Sequence, residues 1–461
     1  MRGAAPVGMN WRKHAFLLGH DLIGSGLRAH FREFLDVGSW PAARLEELHR
    51  ERLAGVLRHA VKNVPFYRNR AGTVELSSFP VLRKEDVHAH FEELMEPSLI
   101  AEYRAEKKPR GYSWLEVKTG GSTGTPTVVI HDRDFRDWGR AGRLYSQHLC
   151  GFPLGTPFFM LWGSMRDISE AKDSATKRIL NTLLQVHPLN AFLMDDGRMA
   201  AYAREINGSS IEHLMAYVDA AYQLARFIEK SGLPMRPLKS VMACAGTVTD
   251  EFRTVLSRVF GARVHNKYGS RECTDIACEC AAGGFHIFAT GVHLEIVDDA
   301  GQPVPAGTTG RILVTLLHNR RFPLIRYEIG DIGALSAKPC PCGSPLPLLE
   351  RVEGRISEVI TSATGAYVSP VYIRHLIGVV HHDGWIERFQ FRQTGAADYV
   401  LLLQMESGVV PEKCRLTVES LRRDLLAVLG PAANLEIDVP ARIEVHPGGK
   451  FLYVQNLYRS S

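Results

Sequence analysis

From Leu115 onward, short apolar segments alternate with longer stretches whose apolar residues recur at helical spacing, and this alternation restricts the fold more than any other feature. The short segments include FFMLWG at 158–163, SVMACAG at 240–246, VHLEIVDD at 292–299 and RILVTLL at 311–317. One intervening helical stretch is HLMAYVDAAYQLARFIEK at 213–230. Strands alternating with helices predict an α/β fold with mixed sheets. Asp298-Asp299-Ala300-Gly301 followed by PVPAGTTG is rich in turn residues and predicts a hairpin between two of the strands.

The flanks have a different texture. Residues 43–63 set Leu45, Leu48, Leu53, Val56, Leu57 and Ala60 at helical spacing, and helices are expected through the first ~110 residues. After Arg355 a smaller α+β pattern begins. It comprises a helix at 371–378, strands in WIERFQFRQT and DYVLLLQM, a helix at 412–429 and a closing strand in NLEIDVPARIEVH. Two domains are therefore expected, 1–352 and 353–461. A chain of 461 residues has room for both without disulfide staples.

Charge and hydropathy exclude some partners. With 55 basic against 50 acidic residues the net charge is +5, and no block of Lys or Arg offers a nucleic-acid footprint. No apolar run approaches the ~18 residues of a membrane span, and the opening apolar stretch is broken by His20 and Asp21. The expectation is a cytoplasmic protein that binds neither nucleic acid nor membrane.

Four segments carry potential chemistry. In Lys118-Thr119-Gly120-Gly121-Ser122-Thr123-Gly124-Thr125-Pro126, glycines let the backbone approach an anion, while hydroxyls and amides donate to phosphate oxygens. It is not a Walker loop, because no Gly-Lys-Ser/Thr closes it, and alone it also fits an ordinary glycine-rich turn. Asn266-Lys267-Tyr268-Gly269-Ser270-Arg271-Glu272 follows a strand candidate. An aromatic ring there can cover a purine, and a carboxylate four residues on can hold Mg2+. Arg326-Tyr327-Glu328-Ile329-Gly330-Asp331 and Gly354-Arg355 supply an Asp suited to ribose hydroxyls and an Arg suited to ribose or phosphate oxygens. Taken alone, each of these is more often a plain turn or a surface ion pair.

Their order and separation resemble the AMP-forming adenylating superfamily, and within it the phenylacetate–CoA ligase group with its coenzyme F390 synthetase and capsule-biosynthesis relatives. Val64-Pro65-Phe66-Tyr67, Phe79-Pro80-Val81-Leu82-Arg83-Lys84, YGSRE and LHNRRFPLIRYEIGD carry the resemblance, as does Thr127 where most of the superfamily has Lys. The resemblance implies a large adenylating domain and a small mobile C-terminal domain. It also implies that Thr119, Gly120, Gly121, Ser122, Thr123, Gly124 and Thr125 grip the ATP β- and γ-phosphates. On the same resemblance, Tyr268 is expected against adenine, with Gly246 and Gly269 among the nucleotide contacts, and Glu272 is expected to bind Mg2+, Asp331 the ribose, and Arg355 the ribose or α-phosphate. Lys450, in Pro447-Gly448-Gly449-Lys450-Phe451, matches the lysine that neutralises charge in the adenylating step. The pattern departs from its relatives at Ser357 and Glu358, where Asp is usual. FLYVQNL after Lys450 also lacks the usual basic residue.

The implied reaction is ATP-dependent activation of a carboxylic acid to an acyl adenylate, followed by transfer to the thiol of CoA. An amine or a carrier-protein thiol is the alternative acceptor, and a catalytically decayed nucleotide-binding protein is the reading from another class. The acid pocket is expected among 158–164, 213–217 and 244–247, whose apolar and aromatic residues suit an aryl or other apolar acid and equally suit a core. The N-terminal helices can support a homodimer.

Cysteine usage adds one more expectation. Five of the eight cysteines fall between Cys273 and Cys342. Cys280, His286, Cys340 and Cys342 compose a closed Cys3His set for a structural Zn2+, with Cys278 competing for the first position. Reduced thiols used as small apolar groups are the other reading.

Overall fold

The structure is a computed structural model. It describes residues 10–458 except 69, 71–72, 106–112, 119–126, 163–174, 192–193, 356–359, 366, 369–372, 374–375, 378–380, 382–384, 407–408, 410 and 445–450. Two compact units partition the chain. One is Met1–Val248, Arg253–Ile329 and Ala334–Arg351, and the other is Thr249–Phe252, Gly330–Gly333 and Val352–Ser461.

In the first unit, β1 (Trp114–Lys118) and β2 (Val128–Asp132) form an antiparallel pair. The strands that follow are β3 (Phe158–Trp162), β4 (Val186–Asn190), β5 (His213–Tyr217), β6 (Ser240–Cys244), β7 (Arg263–Ser270), β8 (Thr274–Glu279) and β9 (Phe285–Ile287). They continue through β10 (Val292–Val297), β11 (Gly310–Leu316), β12 (Tyr327–Leu335) and β13 (Leu348–Arg355). Among the described residues, β3 to β13 make one mixed sheet in the order 10-11-12-13-9-8-7-6-5-3-4.

The run 7-6-5-3-4 is parallel throughout, with helices in the crossovers. Burial explains its composition, because every residue of β6 is buried and a strand covered on both faces reads as a continuous apolar run. The Val218–Ser231 helix after β5 buries Val218, Ala221, Leu224, Ala225 and Ile228 along one stripe and ends at Gly232, whose φ of 63° suits a residue without Cβ. The turn-rich segment after Val297 does join β10 to β11 as an antiparallel hairpin.

Helices Trp11–Leu22, Leu27–Val37 and Ala42–Asn63 cover the N-terminal segment. The second of them packs on helix Arg133–Leu149, with Phe34 against Trp138 and Tyr145. His30 and His318 each bond an oxygen of Asp134 at 2.8 Å and tie three segments together. Burial raises the pKa of this carboxyl, but the two imidazole bonds outweigh it and hold the group below the ordinary carboxylate range.

The smaller unit contains β14 (Ile360–Thr361), β15 (Tyr367–Val368), β16 (Ile386–Gln393), β17 (Asp398–Met405), β18 (Asn434–Asp438) and β19 (Val454–Asn456). Its four-stranded sheet runs 18-17-16-19. Phe391, Leu401 and Leu403 from the sheet share one core with Leu421, Leu425 and Leu429 from the Pro411–Leu429 helix. The closing strand expected in NLEIDVPARIEVH stops at Asp438, before Val439-Pro440, because proline cannot donate to a ladder. The last strand of the sheet is instead β19, parallel to β16. The helix expected at 371–378 lies mostly outside the described residues.

Candidate active site

Parallel strands β3, β5, β6 and β7 bring their carboxyl ends to one edge, the side of an open α/β sheet where ligands bind. Most of the segments expected to line an acid pocket are core, since Phe158, Phe159, Leu161 and Leu214 are buried. Only their ends reach the edge. Trp162 closes β3 and Tyr217 closes β5, with ring centroids 4.1 Å apart. Gly163 and Ser164 lie outside the described residues.

Beyond β6 the chain turns sharply, because Ala245 takes a left-handed φ of 61°. A Cβ on Gly246 would stand 2.3 Å from Val218 Cγ1, so only glycine fits without displacing the helix that begins there. Cys244 pairs with Lys267 across β6 and β7, which sets the Ala245–Gly246 turn beside Tyr268 and Gly269.

The turn from Tyr268 to Glu272 is locally determined. The β7–β8 register shifts between Tyr268 and Gly269, and a Cβ on Gly269 would lie 2.2 Å from the Thr274 carbonyl oxygen. The close approach produces a bulge that re-aims the residues after it. Ser270 Oγ accepts from the Cys273 amide at 3.0 Å.

Glu272 is buried, with 5% of its surface exposed. Tyr327 donates its hydroxyl to Oε1 at 3.2 Å. The Glu272 carbonyl oxygen lies 2.9 Å from His131 Nε2, and since a carbonyl only accepts, that nitrogen carries the proton. Burial pushes the His131 pKa down to about 4, so the ring is neutral at neutral pH.

His131 also links two motifs. It stands on β2, directly after the glycine-rich segment, while Arg271 Nη1 donates to the carbonyl of Lys118 at the end of β1, 3.2 Å away. The end of β1 and the β2 strand are thereby both fastened to the Tyr268–Glu272 turn. Thr119, Gly120, Gly121, Ser122, Thr123, Gly124 and Thr125 themselves lie outside the described residues. Thr127 is 2% exposed and lies 3.1 Å from His88 Nε2, which accounts for a small hydroxyl at this position in place of a long cation.

In the third motif the structure divides the labour. Arg326 is buried and faces inward, bonding Glu295 at 3.2 Å and the carbonyls of Gly301 at 2.7 Å and Phe79 at 3.2 Å. Glu328 pairs with Arg83 and Arg311. Tyr327 alone of the three reaches Glu272. Asp331 is half-buried on β12, and its segment Gly330–Gly333 belongs to the second unit. Arg355 ends β13. Ser357, Glu358 and Lys450 lie outside the described residues.

No spacing rule marked His131, Tyr327 or Asp132 as contributors. Asp132 caps helix Arg133–Leu149 through the Phe135 amide at 3.0 Å. Its other oxygen accepts from the Arg320 and Arg321 amides at 2.8 and 3.1 Å. A carboxylate before a helical stretch was the available signal for the cap, whereas its second set of partners is visible only in three dimensions.

At the far end of β8 the candidate metal ligands converge. Ligand atoms of Cys280, His286, Cys340 and Cys342 all lie within 4.8 Å of one another. Cys280 and Cys340 sulfurs are 3.6 Å apart, and Cys342 Sγ is 3.3 Å from His286 Nε2. Zinc at Zn–S about 2.3 Å separates tetrahedral ligand atoms by roughly 3.5–3.8 Å, so the residues fit that ion. Cys278 is not in the cluster, because it faces Cys150 at 3.7 Å. A Cβ on Gly284 would fall 2.3 Å from Cys340 Sγ, so the hairpin between β8 and β9 needs glycine there.

Comparison with solved structures gives 2-hydroxyisobutyryl-CoA ligase in the postadenylation state, TM-score 0.67 and 19% identity, with 91% of each chain covered. The fold is that of the adenylate-forming ligases. No protein-family model matches the chain. Among curated proteins, the chain is 23% identical to a phenylacetate–coenzyme A ligase of Thermus thermophilus, over 90% of its own length and 97% of the relative's. It is also 23% identical to protein CapK of Staphylococcus aureus, over 89% of each. Among the described residues no helix is long and apolar enough to cross a membrane.

Proposed function

We propose that this chain activates a carboxylic acid with ATP, releases pyrophosphate and passes the acyl group from the adenylate to the thiol of CoA. One observation carries the reading: the Tyr268–Glu272 turn is bound through Arg271 and His131 to β1 and β2, the strands on either side of the glycine-rich segment in sequence. Arg271 and Lys118, joined in this way, stand 153 residues apart in sequence.

In this reading Thr119–Thr125 grip the β- and γ-phosphates, Tyr268 covers adenine between Gly246 and Gly269, and Asp331 and Arg355 hold the ribose. Trp162 and Tyr217 wall the acid side and favour an aryl or other apolar acid. Glu272 fits a Mg2+ ion, since its buried carboxylate bonds a protein group through Oε1 and has no partner on Oε2 among the described residues. When bound, that ion neutralises phosphate charge. The substrate carboxylate forms a bond to the α-phosphorus while the bond to the β-phosphate oxygen breaks. Lys450 supplies a cation at the reacting phosphorus, where positioning and charge stabilisation provide most of the rate.

The smaller unit acts as the mobile domain, and a swing about the residues after Arg355 opens the thiol route. The thiol then attacks the acyl carbon and AMP leaves. Cys280, His286, Cys340 and Cys342 hold a structural Zn2+ with no open position, which pins the β8–β9 hairpin to the segment before β13.

Pyrophosphate release, measured with Mg·ATP over a panel of carboxylic acids, tests the first half. Release that depends on the acid is expected, and its absence across aryl, aliphatic and hydroxy acids overturns the reading in favour of a non-catalytic nucleotide binder. With a working acid, adding CoA, an amine or an acylatable carrier protein identifies the acceptor.

A further inference from the structure

We propose that Tyr327 is a positioning residue that aims the carboxylate of Glu272 at the nucleotide's metal ion. This rests on the assignment of Glu272 as the Mg2+ carboxylate.

The main chain at Glu272 is already fixed. Its carbonyl is held by His131, and the turn is braced by the Ser270–Cys273 bond. A glutamate side chain nevertheless keeps three rotatable bonds, so a fixed backbone leaves the carboxylate free to sweep several ångströms. Tyr327 removes that freedom. Its ring is fully buried, and its hydroxyl meets Oε1 at 3.2 Å.

Tyr327 is itself held firmly. Leu82 bridges to it from the Phe79–Lys84 segment, with the Leu82 amide donating to the Arg326 carbonyl at 3.1 Å and the Glu328 amide to the Leu82 carbonyl at 2.9 Å. Arg326, immediately before it, is locked by Glu295 and two carbonyls. A rigid donor thus orients a flexible acceptor, and Oε2 is the oxygen it leaves for the cation. Arg326 and Glu328 in the RYEIGD segment serve this arrangement by holding the tyrosine in place.

Tyr327→Phe deletes one hydroxyl. Isothermal titration with a non-hydrolysable ATP analogue, with and without Mg2+, reads the metal's contribution to nucleotide affinity independently of turnover. About a tenfold loss of the Mg2+-dependent part is expected, with metal-free affinity unchanged and the Mg2+ concentration for half-maximal pyrophosphate release raised to match. Thermal melting confirms that the variant is folded. In the Glu272→Gln background the same change should add little, because the two groups act as a unit.

If Y327F retains the wild-type Mg2+ dependence while E272Q loses it, the positioning role is wrong and the metal assignment stands. If E272Q itself leaves the Mg2+ dependence intact, the assignment of Glu272 is what fails. Should Y327F prove unfolded, Tyr327→Met, a flexible apolar side chain that also lacks the hydroxyl, replaces it. The same loss of Mg2+ dependence in a folded Y327M supports the positioning role, and wild-type Mg2+ dependence counts against it.

Discussion

The two ends of β8 offer a contrast. Before its first residue, Glu272 presents one carboxylate oxygen held by a tyrosine and one without a partner among the described residues. After its last residue, Cys280 joins His286, Cys340 and Cys342, whose ligand atoms all lie within 4.8 Å of one another. On the proposed assignments, one strand links the carboxylate of an exchangeable ion with the ligands of a permanent one. An open coordination position serves chemistry, and a closed one serves architecture.

The sharpest way to break this contrast lies at Lys450. Replacing it with alanine should lower acid-dependent pyrophosphate release by about a thousandfold while largely sparing transfer from a preformed adenylate. Equal loss in both half-reactions would remove Lys450 from the first step alone.

Acid comes next. His131 titrates at 6.5 in the unfolded chain and at about 4 when folded, so the unfolded state takes up the proton first as pH falls. Stability is intact above pH 6.5, declines through the window down to about 4 and is level below it. The loss is roughly 3 kcal/mol from this group. Denaturant titrations of wild type and His131→Gln across that range should differ in slope, and parallel curves would discount the buried neutral imidazole.

At the other end of β8, Cys340→Ser should abolish bound zinc, measured by elemental analysis, and destabilise the first unit by on the order of 2 kcal/mol. Nucleotide affinity of the folded fraction should change little. Bound zinc that survives in C340S would break the closed-site description.

The smallest effect is expected away from both ends. Asp132→Ala removes a helix cap and two further amide partners and should cost about 2 kcal/mol in denaturant unfolding without altering bound zinc. A change in zinc content would show that the far end of β8 depends on this cap.

Much of the fold was legible in order along the chain. Alternation of apolar strands with amphipathic helices fixed the α/β class, and continuous apolar runs such as Ser240–Cys244 marked strands buried on both faces. The strand at 454–456 was missed because three residues are too few to show a period. In the candidate site, Tyr268 to Glu272 and the Cys3His set stood out by residue type. Arg326 and Tyr327 were indistinguishable as neighbours in one motif, yet one is locked to Glu295 and the other reaches Glu272.

The sequence by itself determined most of the elements and the chemical types gathered for an anion and for a soft metal. Only the tertiary structure decided that Cys280 rather than Cys278 joins the cluster, that His131 grips the Glu272 turn and that Tyr327 touches its carboxylate. The reason is physical. Secondary structure follows from periodicities within a few residues, whereas these contacts join strands far apart in the chain, and their partners are selected by sheet register and burial.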